Sequence, residues 1–162
     1  MTDVFVVSAV RTAIGSFGGA LKDVAPCDLA ALVTRESLSR AELDPAAVGH
    51  VVFGQVIPTE PRDAYLGRVA AINGGVPAET PAMTVNRLCG SGLQAIVSAS
   101  QAIMLGDCDI AVGGGAEVMS RAPFLSPSTR FGRRLGDAVL VDSLNGAPVS
   151  YTHLTLPTKR IV

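Results

Sequence analysis

The sequence predicts an α/β fold built on a parallel sheet, and three observations carry that prediction. Segments of strand length alternate with segments of helix length from residue 4 to residue 113, the order that makes a parallel sheet through right-handed crossovers. The first segment, Val4-Phe5-Val6-Val7-Ser8-Ala9-Val10, is apolar almost throughout, as suits a strand covered on both faces. Residues 93–105 are helix-length, uncharged and apolar on every side, which asks for a central helix enclosed all round.

Taken in order, the strand at 4–10 leads into a glycine-rich loop, Arg11-Thr12-Ala13-Ile14-Gly15-Ser16-Phe17-Gly18-Gly19. Neither G-x-G-x-x-G nor G-x-x-x-x-G-K-[ST] is present, so a tight loop with Arg11 in a structural ion pair is expected rather than a phosphate cradle. Pro26 and Asp28 open a helix that runs to about Arg40, a proline and an acid both being favourable in a first turn. Its buried stripe is expected at Leu29, Leu32 and Val33, with Arg35, Glu36 and Arg40 in solvent. Asp44-Pro45 caps a short turn, and residues 50–56 form the second strand. Residues 65–72 form the second helix, stopped by Asn73-Gly74-Gly75.

Residues 80–85 give a short buried strand after a proline start, and the helix at 93–105 ends at Gly106. Its 13 residues fall short of the ~20 that span a bilayer, so no membrane partner is expected. Residues 109–113 make the fourth strand and run into Gly114-Gly115-Ala116-Glu117. The predicted division is therefore a β-α-β-α-β-α-β half-domain at 1–118, the start of a loop insertion at 119–147, and a tail at 148–162. That tail continues no pattern in the chain and resembles translated vector or adapter sequence, so it is expected to be non-native.

Composition narrows the function classes. With 162 residues, 48% hydrophobic and 17% charged, the chain can bury a core and is not disordered. Thirteen basic against 14 acidic residues, without a basic patch interleaved with aromatics, give no support for a nucleic-acid partner. Three cysteines, Cys27, Cys89 and Cys108, lack C-x-x-C spacing, so neither a disulfide framework nor a metal site is expected. The N-terminus has no basic and apolar leader pattern, and a reduced, cytoplasmic setting is the expectation.

Cys89 is the candidate nucleophile. It sits among small residues at the turn from strand to helix, where free backbone N–H groups and the positive end of the helix dipole meet the sulfur. Cys27 and Cys108 are expected to be small buried or turn residues, and His50 and His153 to be structural or incidental.

Three ordered motifs give the chain a resemblance to the thiolases, and among them to bacterial acetyl-CoA acetyltransferases and β-ketothiolases. Residues 6–19 resemble that family's opening segment. Asn86-Arg87-Leu88-Cys89-Gly90-Ser91-Gly92-Leu93-Gln94-Ala95 is similar to its acyl-enzyme motif. Gly113-Gly114-Gly115-Ala116-Glu117-Val118-Met119-Ser120 is similar to the segment closing the next strand. The resemblance implies the N-terminal half of an αβαβα layered fold, in which the helix after the nucleophile lies between two halves. It implies a dimer or tetramer, acyl-CoA substrates with coenzyme A itself a substrate, and no further cofactor. It also implies acylation of Cys89, with its own backbone N–H as an oxyanion donor, during reversible Claisen condensation and thiolysis.

The histidine that activates the nucleophile, the second cysteine and the CoA-binding loop of that family have no counterpart in these 162 residues. A helix end offers a thiolate only ~0.3–1 kcal/mol, whereas general acid–base terms are worth ~10²–10⁴ in rate. The chain by itself is thus expected to be acylated without turning over, and to be marginally stable. Two alternatives stand beside this reading: an inert fragment able only to dimerise, and a ketosynthase-like condensing enzyme. A dinucleotide site at Gly113-Gly114-Gly115 is weaker, since no G-x-G-x-x-G opens a helix there.

Overall fold

The structure is a computed structural model in which residues 3–149 are described, with side chains to residue 146. Helix α1 (Pro26–Arg40) leads through a 3-10 turn at Pro45–Ala47 to strand β1 (His50–Gly54). Helix α2 (Leu66–Gly74), strand β2 (Ala82–Val85), helix α3 (Ser91–Leu105) and strand β3 (Ala111–Gly115) follow. A short antiparallel pair, β4 (Phe124–Leu125) with β5 (Val141–Asp142), and helix α4 (Ser143–Val149) complete the described chain.

The parallel sheet has the order β2-β1-β3, with Val51 opposite Ala82 and Val112. β1 is central, and its alternation divides two cores. Val51 and Phe53 pack with Cys27, Ala30 and Leu38 of α1 and with Leu66, Ala70 and Ala71 of α2. Val52 points the other way, to Ala95 and Ala99 of α3. The layers are therefore two helices, a sheet and one helix.

Local signals set some element ends, although β1 stops at Gly54 rather than 56, α2 runs on to Gly74 rather than 72, β2 starts at Ala82 rather than 80 and α3 starts at Ser91 rather than 93. Pro26 stands in the first turn of α1, Asp44 Oδ1 accepts from Ala46 N–H at 2.9 Å, and Gly75 and Gly106 close α2 and α3 at positive φ. β3 lies two residues later than the 109–113 predicted. The predicted tail lies outside the described residues from 150 onward, and residues 148 and 149 close α4.

Five expectations are corrected. β2 is not a buried strand: it lies at the end of the sheet order, Met83 is exposed and its other residues are half-buried. Residues 4–10 form no strand: Phe5, Val6 and Val7 are exposed, and the half-domain has three described parallel strands, not four. An apolar run becomes a strand only beside a partner. Here β3 pairs with β1 alone among the described residues, and a cleft of about 760 Å³ is lined by residues 4–17 and residues 110–120.

The buried stripe of α1 is Cys27, Ala30, Ala31, Thr34 and Leu38; of the expected Leu29, Leu32 and Val33, Val33 is half-buried and packs against this core, while the other two lie outside it. Leu32 is 51% exposed, because the face that meets the core repeats at 27, 30, 31, 34 and 38, and that helical spacing leaves position 32 to one side of it. Arg11 is exposed and bonds only the neighbouring Thr12 carbonyl, with no ion pair among the described residues.

The last correction concerns α3. Only Ser91, Ala95 and Ala99 are buried, while Leu93 is 69% and Leu105 79% exposed. One face of this helix rests on the sheet, and the other has no cover among the described residues. At 15 residues, α3 is shorter than the ~20 that span a bilayer.

Candidate active site

The site is built where the sheet ends and α3 begins. β2 delivers Asn86, whose Oδ1 accepts from Leu88 N–H at 3.0 Å, an Asx turn that reverses the chain. Leu88 takes φ +51°, a left-handed conformation costly to a branched side chain. Ser91 closes the turn from the far side. Its hydroxyl donates to Leu88 O at 2.6 Å and accepts from Arg87 N–H at 2.8 Å. Gly90 N–H and Ser91 N–H return to Arg87 O and Leu88 O. The result is a compact loop that holds Cys89 at the mouth of the helix.

Cys89 is exposed, as the sequence predicted. Its N–H, with those of Gly92 and Leu93, has no acceptor among the described residues, whereas Gln94 N–H already bonds Gly90 O at 2.8 Å. Such orphan donors carry the positive end of the helix dipole. No described side chain hydrogen-bonds the Cys89 sulfur. The arrangement can therefore offer a thiol and donors for a nearby oxyanion, but no partner that removes a proton.

The other two cysteines are differently placed. Cys27 is fully buried and its Sγ–H donates to Asp63 Oδ1 at 3.1 Å. Burial first, and then the Asp63 carboxylate, push that thiol up to about 12. Burial alone would raise Asp63. The Thr59 N–H and hydroxyl, at 2.7 and 2.8 Å, together with the Cys27 donor, hold it below the ordinary carboxylate range instead. Cys108 is half-buried, and burial followed by Asp107 and Asp109 raises it. It lies at the amino end of the sheet, beside Gly49, as does His50 at the start of β1. His153 is outside the described residues.

Three residues to which the sequence assigns no individual role bind the loops at the carboxyl end of the sheet. Asp63 collects the loop after β1. Glu117, just past β3, accepts from Val56 N–H at 2.8 Å and Ile57 N–H at 3.1 Å. Desolvation raises its carboxyl above the ordinary value, although the residue keeps an exposed face, and the two N–H donors oppose the rise. Asn86 uses its other end to donate from Nδ2 to Val56 O at 3.2 Å. An Asn two residues before a backbone donor is a legible turn signal, but a Glu bonded 61 residues away has no local signature.

Fold and site together define an α/β protein with an exposed cysteine at a strand-to-helix junction on the carboxyl edge of a parallel sheet. Residues 4–155 match the thiolase N-terminal domain, and the chain belongs to the thiolase family. It is 70% identical over 145 residues to the beta-ketothiolase BktB of Cupriavidus necator, covering 90% of this chain and 37% of that protein. It is 41% identical over 154 residues to the mitochondrial 3-ketoacyl-CoA thiolase of Bos taurus, covering 95% and 39%. The fold is similar to human mitochondrial 3-ketoacyl-CoA thiolase in complex with CoA, with a TM-score of 0.86 at 38% identity over 98% of this chain and 42% of the other. It is also similar to the acetyl-CoA acetyltransferase of Bacillus anthracis, with a TM-score of 0.82 at 38% identity over 88% and 36%. The chain thus spans less than half the length of these relatives.

Proposed function

We propose that this chain carries the acyl acceptor of a thiolase whose whole activity is the interconversion of two acetyl-CoA with acetoacetyl-CoA and CoA. In the step assigned here, the Cys89 thiolate attacks the carbonyl carbon of an acyl-CoA. The oxyanion forms against the free Cys89 N–H. The bond from carbon to the CoA sulfur then breaks, leaving an acyl thioester on Cys89 and a CoA thiolate that takes up a proton. In the whole protein either CoA or the carbanion of a second acetyl-CoA removes the acyl group. The observation that carries this reading is the exposed Cys89 thiol beside unoccupied N–H donors at the head of α3. The CoA complex of the human relative supports a CoA thioester as substrate, with CoA a reactant rather than a cofactor. An exposed free thiol fits a reducing, cytoplasmic setting.

With no base bonded to the sulfur among the described residues, the purified chain stops after one acyl group. Incubation with acetyl-CoA and intact mass analysis gives a single acetyl adduct, mapped to Cys89 and absent in Cys89→Ala. No adduct, or an adduct on Cys108, refutes the acyl-acceptor role. Sustained thiolysis of acetoacetyl-CoA refutes the single-turnover part alone.

A second reading, self-association, is favoured by β2. Among the described residues it pairs only with β1, and it exposes Met83 at the end of the sheet. Val51 and Gln55 N–H reach Pro81 O and Val85 O, so by alternation the Thr84 N–H faces outward. A dimer in sedimentation that is lost in Thr84→Pro supports a shared edge; a wild-type monomer rejects it.

A further inference from the structure

We infer that Glu117 is a positioning residue for the nucleophile, acting on Cys89 through the Val56 peptide and the Asn86 side chain. The route is continuous. The β1–β3 ladder closes at Gly54 and Gly115, with one further bond from Ala116 N–H to Gly54 O at 3.2 Å. Beyond it the Val56 and Ile57 N–H groups have no strand partner, and the two oxygens of Glu117 take one each. That fixes the Val56 peptide, whose carbonyl accepts from Asn86 Nδ2. Asn86 is held by one end of its amide and with the other accepts from Leu88 N–H, which keeps Leu88 at φ +51°. Cys89 is the next residue. The carboxyl end of β3 thereby sets the turn that presents the thiol, although Glu117 hydrogen-bonds no atom of that turn.

The residue types are the ones this task requires. Two adjacent N–H donors want an acceptor with two oxygens, and a carboxylate accepts at both. A glutamine accepts at one and turns an NH₂ toward the other donor. Asn86 must donate at one end and accept at the other, which an amide does and a carboxylate does not. Leu88 is the strained member, and strain at a turn persists only where surrounding bonds over-determine it. Without the chain of bonds, Leu88 relaxes and Cys89 leaves its place at the free N–H groups of α3.

The inference concerns the same site as the proposed acyl transfer, so its test uses a reaction that needs only the thiol. Iodoacetamide alkylation of the full chain is followed residue by residue by mass spectrometry. Cys108, at the far end of the sheet, is the internal reference, and protection of buried Cys27 reports that each variant is folded. Glu117→Ala and Asn86→Ala each slow alkylation at Cys89 relative to Cys108 by roughly three- to tenfold, the effect of about one net hydrogen bond. The double variant is no slower than the slower single, because both lie on one path. Glu117→Gln, which keeps one acceptor and serves if the alanine variant fails to fold, falls between.

Unchanged Cys89 rates, or effects that multiply in the double variant, overturn the inference. The two proposals fail separately. A wild-type chain that shows this alkylation pattern but never takes up an acetyl group refutes the acyl-acceptor function and leaves the positioning role standing. Wild-type acetylation in Glu117→Ala, with unchanged alkylation, removes the positioning role alone.

Discussion

Gly54 decides how closely α3 can approach the sheet, and Gly54→Ala measures what that approach is worth. A Cβ on Gly54 would lie 2.4 Å from Ser91 C, 2.5 Å from Ser91 O and 2.7 Å from Gly92 N. Carbon atoms rest about 3.5 Å apart or more, so the overlap is on the order of 1 Å. All three neighbours are backbone and cannot rotate aside, so the first turn of α3 must lift from β1. Overpacking of a core typically costs ~1–3 kcal/mol, and a backbone-against-backbone clash belongs at the upper end. Gly92→Ala is the control: apart from its own helix turn and chain neighbours, nothing lies within 4 Å of its would-be Cβ, and inside a helix alanine gains up to about 1 kcal/mol over glycine. Urea unfolding of the two variants, compared at equal m, should place Gly54→Ala about 3 kcal/mol below wild type and Gly92→Ala at or slightly above it. The lift falls next to Cys89, so its alkylation rate should change in Gly54→Ala as well. If Gly54→Ala unfolds within about 0.5 kcal/mol of wild type, the range of an unremarkable surface change, the close approach is not what seats the helix.

Two further predictions follow from the loop after β1. Asp63→Ala leaves the Thr59 and Glu60 N–H groups without their acceptor and should cost about 3 kcal/mol in urea unfolding, bonds to a charged group being worth ~1.5–3 kcal/mol each and not additive. Because Asp63 is held below its ordinary value in the folded chain, its contribution is present above about pH 4 and is lost as pH falls through the lower folded value. The acid limb of a stability–pH curve should therefore flatten in Asp63→Ala. Cys27 has the opposite sign. Its thiol is pushed from 9.0 to about 12, so above pH ~9 the unfolded chain releases a proton that the folded chain retains. Stability then falls by up to ~1.4 kcal/mol per pH unit for this group, a slope that Cys27→Ala should reduce to the part due to the likewise raised Cys108 and that acid-side measurements should not show.

What the sequence disclosed and what it withheld divide along the distance between interacting residues. Helix ends were legible because their causes are adjacent: Pro26 before α1, Gly75 and Gly106 at positive φ after α2 and α3. Cys89 was legible for the same reason, since strand, tight turn and helix lie within about a dozen residues. The apolar run at 4–10 misled because strand formation depends on a partner that no local pattern specifies, and here a cleft stands where the partner would be. The apolar α3 misled in the same way: its composition states that its surface is made to be covered, but not that the described chain covers only the face at Ala95 and Ala99. The support of the nucleophile was hidden for a third reason. Glu117, Val56 and Asn86 meet only because β3, β1 and β2 all end on the same side of a parallel sheet. A parallel sheet gathers its carboxyl ends at one edge whatever the loops contain, so a reactive turn placed there can be held by groups from distant parts of the chain. In this half-domain the thiol is local and its positioning is not. Substitutions that loosen the site should therefore be found at the ends of other strands as readily as inside the Cys89 motif.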